Sequence, residues 1–294
     1  MARMFCYPRL GRFGLGNCLL PWARAVVFAR THSLPILGPQ WVQPRLGAVL
    51  RREKVNRFYF NEISNRDYIK GLRKWLILVR AAQVNEDEAV RVISCGHKTG
   101  NRSTVVVFQG MRDLFRDLWH HHQIIHEELH RIVARTILEK VASIREPFVA
   151  MHVRRGDIIT PGLTEAQLMA KKHYTPLTWF VAAAKAIRAE ASFRTIPIYV
   201  VSDGYEHELA ELLAIPNCCL KTLGSAIGDI LLLSKATLLF ATAHSTFSMW
   251  GSYLGRMPTL YYPGKLDQNV FPPDSGIPER EWSTGQALPR SPAR

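Results

Sequence analysis

No stretch of this 294-residue sequence is apolar for long enough to cross a bilayer. A spanning helix needs about 20 apolar residues. The two longest candidates are interrupted, Leu19 to Ala29 by Arg24 and Ile230 to Ala243 by Lys235. Met1 to Gly16 carries basic residues but neither a long apolar core nor a small-residue cleavage site, so it does not read as a signal peptide. A cytoplasmic protein is the expectation. Cysteine is scarce: Cys6, Cys18, Cys95, Cys218 and Cys219 make no even framework, and the vicinal pair lacks the two-residue gap of a redox or zinc motif. Free buried thiols are expected. There is no zinc finger, no aromatic RNA-binding signature and no basic heptad, so no nucleic-acid partner is expected. Internal repeats are missing too, and bias is confined to the tail from Ser283 to Arg294, whose Pro, Ser, Gly and Arg read as a frayed, disordered end.

Acidic residues are in deficit. Lys and Arg number 38 against 24 Asp and Glu, a formal net charge of +14. A surplus of that size attracts polyanions, anionic headgroups or phosphorylated substrates without choosing among them. Hydrophobic residues at 47% and charged residues at 21% belong to a folded chain. The length suits two domains of about 140 residues.

The first half opens on a strand pattern near Met4 to Tyr7, a glycine-rich turn from Gly11 to Asn17, and a helix pattern from about Cys18 to Thr31. Met111 to Val141 has the apolar spacing of one long helix or two consecutive ones. Beyond it, strand and helix patterns alternate. Strands are predicted over Pro147 to Val153, Ile196 to Val201, Thr237 to Phe240 and Thr259 to Tyr262. Helices are predicted over Pro176 to Glu190, Tyr205 to Leu213, Ser225 to Ser234 and Thr246 to Leu254. Alternation of this kind predicts an α/β architecture with a parallel sheet covered on both faces. Ligands then bind beyond the carboxyl ends of the strands, which is where the unusual residues fall.

After the first of these strands stands His152-Val153-Arg154-Arg155-Gly156-Asp157. Two arginines give planar, permanently charged donors suited to a diphosphate, and Gly156 allows close backbone approach; a surface Arg–Asp turn is the competing reading. The strand before Ser202-Asp203-Gly204 presents a carboxylate that suits a ribose hydroxyl or a purine amino edge, or equally caps the next helix. His244-Ser245-Thr246-Phe247 precedes a helix whose free N–H groups and positive dipole end make an anion site, unless the hydroxyls only cap it. The turn Gly11 to Asn17 lacks the Gly-Lys-Ser/Thr of a Walker loop. His120-His121-His122 point in different directions along a helix, and His122 with His126 lacks a third ligand, so a solvated face is expected and no metal site.

Taken in this order, these pieces resemble the α-1,2-fucosyltransferases of glycosyltransferase family 11 and their α-1,6- and protein O-fucosyltransferase relatives. Gly14-Leu15-Gly16-Asn17 is similar to the family's Gly-x-Gly-Asn motif, and His152 to Asp157 to its His-x-Arg-Arg-Gly-Asp motif. Ile198 to Asp203 resembles its Tyr-Val-Phe-Ser-Asp strand, and Asp229 to Gly251 its final Asp and Ser-Thr-Phe-Ser block. Cys18 stands where the family usually has Gln, Met249 replaces the first of two tryptophans, and His244 stands where Asn is common.

The resemblance implies a GT-B-like α/β fold, two Rossmann-like domains facing a cleft, here 1–142 on the acceptor side and 143–282 binding the nucleotide sugar. It implies an inverting transfer of fucose from GDP-fucose to a glycan hydroxyl, in α-1,2 linkage, with no cofactor and no bound metal. Arg154, His152 and Asp157 would be the catalytic set, Arg154 supplying the positive charge a metal would otherwise bring. Asn17, Gly16, Arg155, Asp203, Ser245, Thr246 and Phe247 would bind the donor. No general base is identified. The basic surplus adds an anionic membrane surface, with peripheral attachment at the inner face, and lipid-linked glycans to the expected partners. Two alternatives stay open: the same fold with another donor such as GDP-mannose or GDP-rhamnose, and a non-catalytic basic polyanion-binding protein.

Overall fold

A computed structural model describes residues 3–42, 59–94, 102–156, 158–159, 162–266 and 269–289. The chain forms two compact units, dividing at Ala134 and Arg135.

In the first unit, strand β1 (Met4–Arg9) leads through the glycine turn into helix α1 (Leu15–Thr31). Helix α2 (Gly71–Arg80), strand β2 (Ala82–Asn85), helix α3 (Glu86–Ser94), strand β3 (Thr104–Gln109) and helix α4 (His122–Ile132) follow. The three strands form a parallel sheet in the order β1-β3-β2. β3 is a Val-rich run buried along nearly its whole length, as a central parallel strand must be. Behind the sheet, the buried Glu128 carboxylate collects Arg30, Arg131 and the Tyr68 hydroxyl, so its charge is compensated. Arg24, equally buried, pairs with Glu86 and donates to the carbonyls of Gln109 and Gly110.

The second unit opens on helix α5 (Arg135–Ala142) and strand β4 (Val149–Val153), then helices α6 (Glu165–Met169) and α7 (Leu177–Ala189) and strand β5 (Ile198–Ser202). Helix α8 (Ala210–Leu213), strand β6 (Cys218–Leu220), helix α9 (Ala226–Ser234), strand β7 (Leu238–Ala241), helix α10 (Thr246–Gly255) and strands β8 (Thr259–Tyr261) and β9 (Glu279–Glu281) complete it. All six strands are parallel, in the order β6-β5-β4-β7-β8-β9. Counted within the unit this is 3-2-1-4-5-6, the doubly wound nucleotide-binding order. Its switch point lies between β4 and β7.

Burial explains the strand sequences. Val149–Val153 and Leu238–Ala241 are buried at every residue because helices cover both faces. One face packs on Trp179, Phe180 and Ile187 of α7, the other on Leu232 and Leu233 of α9. Helices α9 and α10 meet closely at glycines: a Cβ on Gly251 would stand 2.6 Å from Leu233 Cβ, and one on Gly255 would collide with the Ser234 carbonyl.

Beyond the expected strands the structure adds β2, β3, β6 and β9. Of the one or two helices expected over Met111 to Val141, two form, α4 and α5, parted at Val133, whose backbone is extended (ψ 142°), while Met111 to His121 makes turns and a short 3-10 helix (Arg116–Leu118) instead. Of the expected frayed end, Ser283 to Leu288 turn back: Trp282 Nε1 donates to the Gln286 carbonyl, Arg280 to that of Ala287, and Leu288 packs on the core. Cys6, Cys18 and Cys218 are buried free thiols, whereas Cys219 is exposed. Cys95 lies outside the described residues. His122, His126 and His130 stack along α4, with ring centroids 5.6 and 4.1 Å apart.

Candidate functional site

The carboxyl ends of β4, β5 and β7 bring the second unit's expected residues together. The last turn of backbone on β4 is held from both sides. Ser202 Oγ, from the end of β5, donates to the Val153 carbonyl at 2.6 Å. Thr242 Oγ1, just past β7, donates to the His152 carbonyl at 2.6 Å and accepts the Arg154 N–H at 3.0 Å. The Asp203 carboxylate then accepts the N–H groups of Arg155 at 2.7 Å and Gly156 at 3.1 Å through the same oxygen. The backbone at Arg154 is thereby fixed at the switch point by groups from two neighbouring strands.

Glycine is required twice in this loop. A Cβ at Gly156 would stand 2.5 Å from Asp203 Oδ2, and one at Gly204 2.8 Å from Arg155 Cγ. Both contacts belong to the brace that holds the arginines. Asp203 is therefore engaged through Oδ1 with the loop backbone.

The two arginines differ. Arg155 is half-buried beside Tyr174, and its Nε and Nη1 are buried donors with no hydrogen-bond partner. Burial first, and then the hydrogen bond to Glu165, push the Tyr174 phenol up to about 12, while the Arg155 charge pulls against them. Arg154 is half-buried on the other side, close enough to His152 for its charge to act on the imidazole.

His152 is an interior residue. Its Nδ1 lies 2.5 Å from Ser248 Oγ, and its ring stacks on Phe247 at 5.0 Å. Burial first, then the Arg154 charge, hold its pKa down to about 3, so the imidazole is neutral across the ordinary pH range. A base that weak takes little part in proton abstraction.

At the start of α10, Ser245 is buried and occupies the N-cap position. Its side chain makes no cap bond, and its Oγ has no hydrogen-bond partner. Simple helix capping therefore does not account for this hydroxyl, and a buried polar atom without a partner is a costly thing to keep. The preceding His244 takes a left-handed backbone (φ 50°) with its ring edge-on to His173. Thr246 and Phe247 follow in the first turn, both half-buried.

Asn17 and Gly16 lie in the first turn of α1 in the first unit, Gly16 buried and Asn17 half-buried. Asp157 lies outside the described residues. Thr242 and Tyr174 were not among the expected site residues, and Ser248 was expected only as the last residue of the Ser-Thr-Phe-Ser block, with no partner assigned. The available signal was the placement of Thr242 directly after an apolar strand, the position already occupied by Ser202 on β5. Asp229 accepts the Leu223 N–H at 2.6 Å and the Thr222 hydroxyl at 2.8 Å, ordering the loop into α9 rather than facing the crevice. Among the described residues no three His, Cys, Asp or Glu are grouped to hold a metal ion. No helix among them is long and apolar enough to cross a membrane.

The profile of Glycosyl transferase family 11 matches residues 86–271, more than half of the chain and all of the β4, β5 and β7 strand ends. The chain belongs to glycosyl transferase family 11. No curated protein matches it. Solved structures share its fold. NodZ alpha-1,6-fucosyltransferase soaked with GDP-fucose superposes with a TM-score of 0.52 at 15% identity, covering 90% of this chain and 96% of that one. POFUT1 in complex with GDP gives 0.51 at 13% identity, with 97% and 98% covered. POFUT1 in complex with GDP-fucose gives 0.52 at 13%, with 89% and 98% covered. At these identities the likeness is one of fold, and it matches the α/β, GT-B-like class with parallel sheets that the sequence pattern and the family 11 motifs led us to expect.

Proposed function

We propose that this chain is a fucosyltransferase that moves fucose from GDP-fucose to a glycan hydroxyl, with inversion at the anomeric carbon and in α-1,2 linkage. The observation that carries the reading is the Arg154 loop. The backbone that carries Arg154 and Arg155 is fixed by Thr242 and Asp203 at the switch point of a doubly wound sheet, and the helix that begins just past the neighbouring strand has a buried serine hydroxyl without a partner at its N-cap. Family membership and the GDP and GDP-fucose bound to proteins of the same fold support it.

In the proposed reaction the acceptor oxygen attacks the anomeric carbon, the bond from that carbon to the β-phosphate oxygen breaks, and GDP leaves with the electron pair. The acceptor's proton is lost to solvent. Negative charge grows on the β-phosphate as the bond breaks. Arg154, positioned before the reaction, stabilises that state more than the ground state, and this takes the place of a metal. Ser245, Thr246 and the first N–H groups of α10 hold the diphosphate. Arg155 contributes its orphaned donors. Asp203, with Oδ1 committed to the loop, has Oδ2 left for the nucleoside. Phe247 stacks on neutral His152, a positioning residue in this scheme. Asn17 and Gly16, in the first turn of α1, are assigned to the donor by their likeness to the family's Gly-x-Gly-Asn motif. Asp157 remains the third catalytic candidate.

GDP release from GDP-fucose, measured across a panel of glycan acceptors with and without excess EDTA, tests the proposal. Acceptor-stimulated release that survives EDTA supports it. Release only from GDP-mannose or GDP-rhamnose moves the donor assignment, and loss in EDTA that added divalent metal restores removes the role given to Arg154.

A further inference from the structure

Helix α2 (Gly71–Arg80) wears its amphipathic pattern inside out. Leu72, Trp75, Leu76 and Val79, spaced i, i+3, i+4, i+7, share one face. That face is the exposed one: they are 75%, 48%, 43% and 78% exposed. The opposite face carries the helix's packing. Ile77 and Leu78 sit against the cluster of Phe5, Tyr7, Val105 and Val107, and Lys74, a cation, is buried with its Nζ 5.2 Å from the Tyr7 ring and 4.8 Å from the Trp75 ring. Four large apolar side chains turned to water beside a buried lysine form an apolar patch of the kind that marks an interaction surface.

The charge around the stripe says which partner. Lys70, Arg73, Arg80 and Arg102 are exposed at its flank and ends, with Arg102 Nε donating to the Arg80 carbonyl. No Asp or Glu occurs from Tyr68 to Asn85. Asp67, just before, lies 3.4 Å from Arg131. An apolar stripe with a tryptophan, flanked by these cations on a chain of net charge +14, has the composition of a helix that lies in a bilayer interface, with its apolar side chains among the acyl chains and its cations on anionic headgroups.

We propose that α2 docks the protein onto an anionic lipid surface, with Leu72, Trp75, Leu76 and Val79 inserted and Lys70, Arg73, Arg80 and Arg102 on the headgroups. This does not rest on the donor reading above.

The test is cosedimentation of the full chain with phosphatidylcholine vesicles with and without phosphatidylglycerol, at low and high salt. It is paired with quenching of tryptophan emission by brominated lipid. Binding is expected to anionic vesicles only and to weaken with salt. Leu72→Ser with Val79→Ser, and separately Arg73→Gln with Arg80→Gln, should each lower the partition coefficient roughly tenfold or more while melting curves match the wild type. Trp75→Phe should keep binding and lose the quenching. Three results would each overturn the proposal: no binding to anionic vesicles, binding indifferent to the Leu72/Val79 pair, or a dimer in sedimentation velocity that this pair abolishes. The last would make a second copy the occupant.

Discussion

Arg154 and Arg155 are adjacent in sequence but are held in different ways, and this sets their expected mutational behaviour. Lysine in place of Arg154 keeps a charge but loses the planar fork. Arg154→Lys should fold normally and lose transfer by about a hundredfold or more, near 3 kcal/mol of transition-state stabilisation. Arg155→Lys should lose less, and steady-state rates with matched melting curves separate the two. Asp203→Ala frees the Arg155 and Gly156 amides from their carboxylate. We expect it to weaken both GDP stabilisation and transfer, at a cost of about 1–3 kcal/mol in stability. His152 gives a pH prediction. Its folded pKa is lowered from 6.5 to about 3, so the unfolded chain binds the proton more readily. The stability it contributes is present above about pH 6.5 and is lost as pH falls towards 3. Between pH 6.5 and 5 that is about 2 kcal/mol. His152→Asn should flatten the decline in melting temperature over this interval; an unchanged slope would mean the imidazole is not buried neutral.

Among the elements, those around the site were legible because they are long apolar strands alternating with apolar helices. Val149–Val153, Ile198–Ser202 and Leu238–Ala241 sit where their runs of Val, Leu and Ile put them. Other elements carry no such signal. β6 is only Cys-Cys-Leu and β9 is Glu-Arg-Glu, an edge strand ordered by its neighbour and by Glu279 accepting the Val270 and Phe271 amides. α2 shows helical spacing, yet which face is buried cannot be read from spacing alone. The hydroxyl brace of Thr242 is a tertiary contact between residues 88 apart, and single-residue patterns do not encode it. Helices α9 and α10 are buried over most of their surface, and the buried serines of α10 find partners, Ser248 in His152 and Ser252 in Thr259. Their contact at Gly251 and Gly255 leaves no space for a methyl group. Gly251→Ala should cost about 1–3 kcal/mol by overpacking, read as a lower denaturation midpoint at unchanged m-value, and should reach the site by shifting the start of α10.

At the scale of the whole molecule, a fold shared with structures at 13–15% identity and a family profile over residues 86–271 leave the donor as the central claim. The residues gathered at the ends of β4, β5 and β7 were legible as motifs, while their mutual bracing was not. A ligand that binds only the native state stabilises it by RT ln(1 + L/Kd), L being the free ligand concentration, so the melting temperature rises with the logarithm of ligand concentration over Kd. The most direct measurement is therefore the thermal unfolding of wild type and Asp203→Ala with millimolar GDP and GDP-fucose against a panel of other nucleotides. The account predicts a rise with both guanine ligands in the wild type, a smaller rise in Asp203→Ala, and none with adenine or uridine diphosphates. A wild-type melting curve unmoved by GDP and GDP-fucose would contradict it.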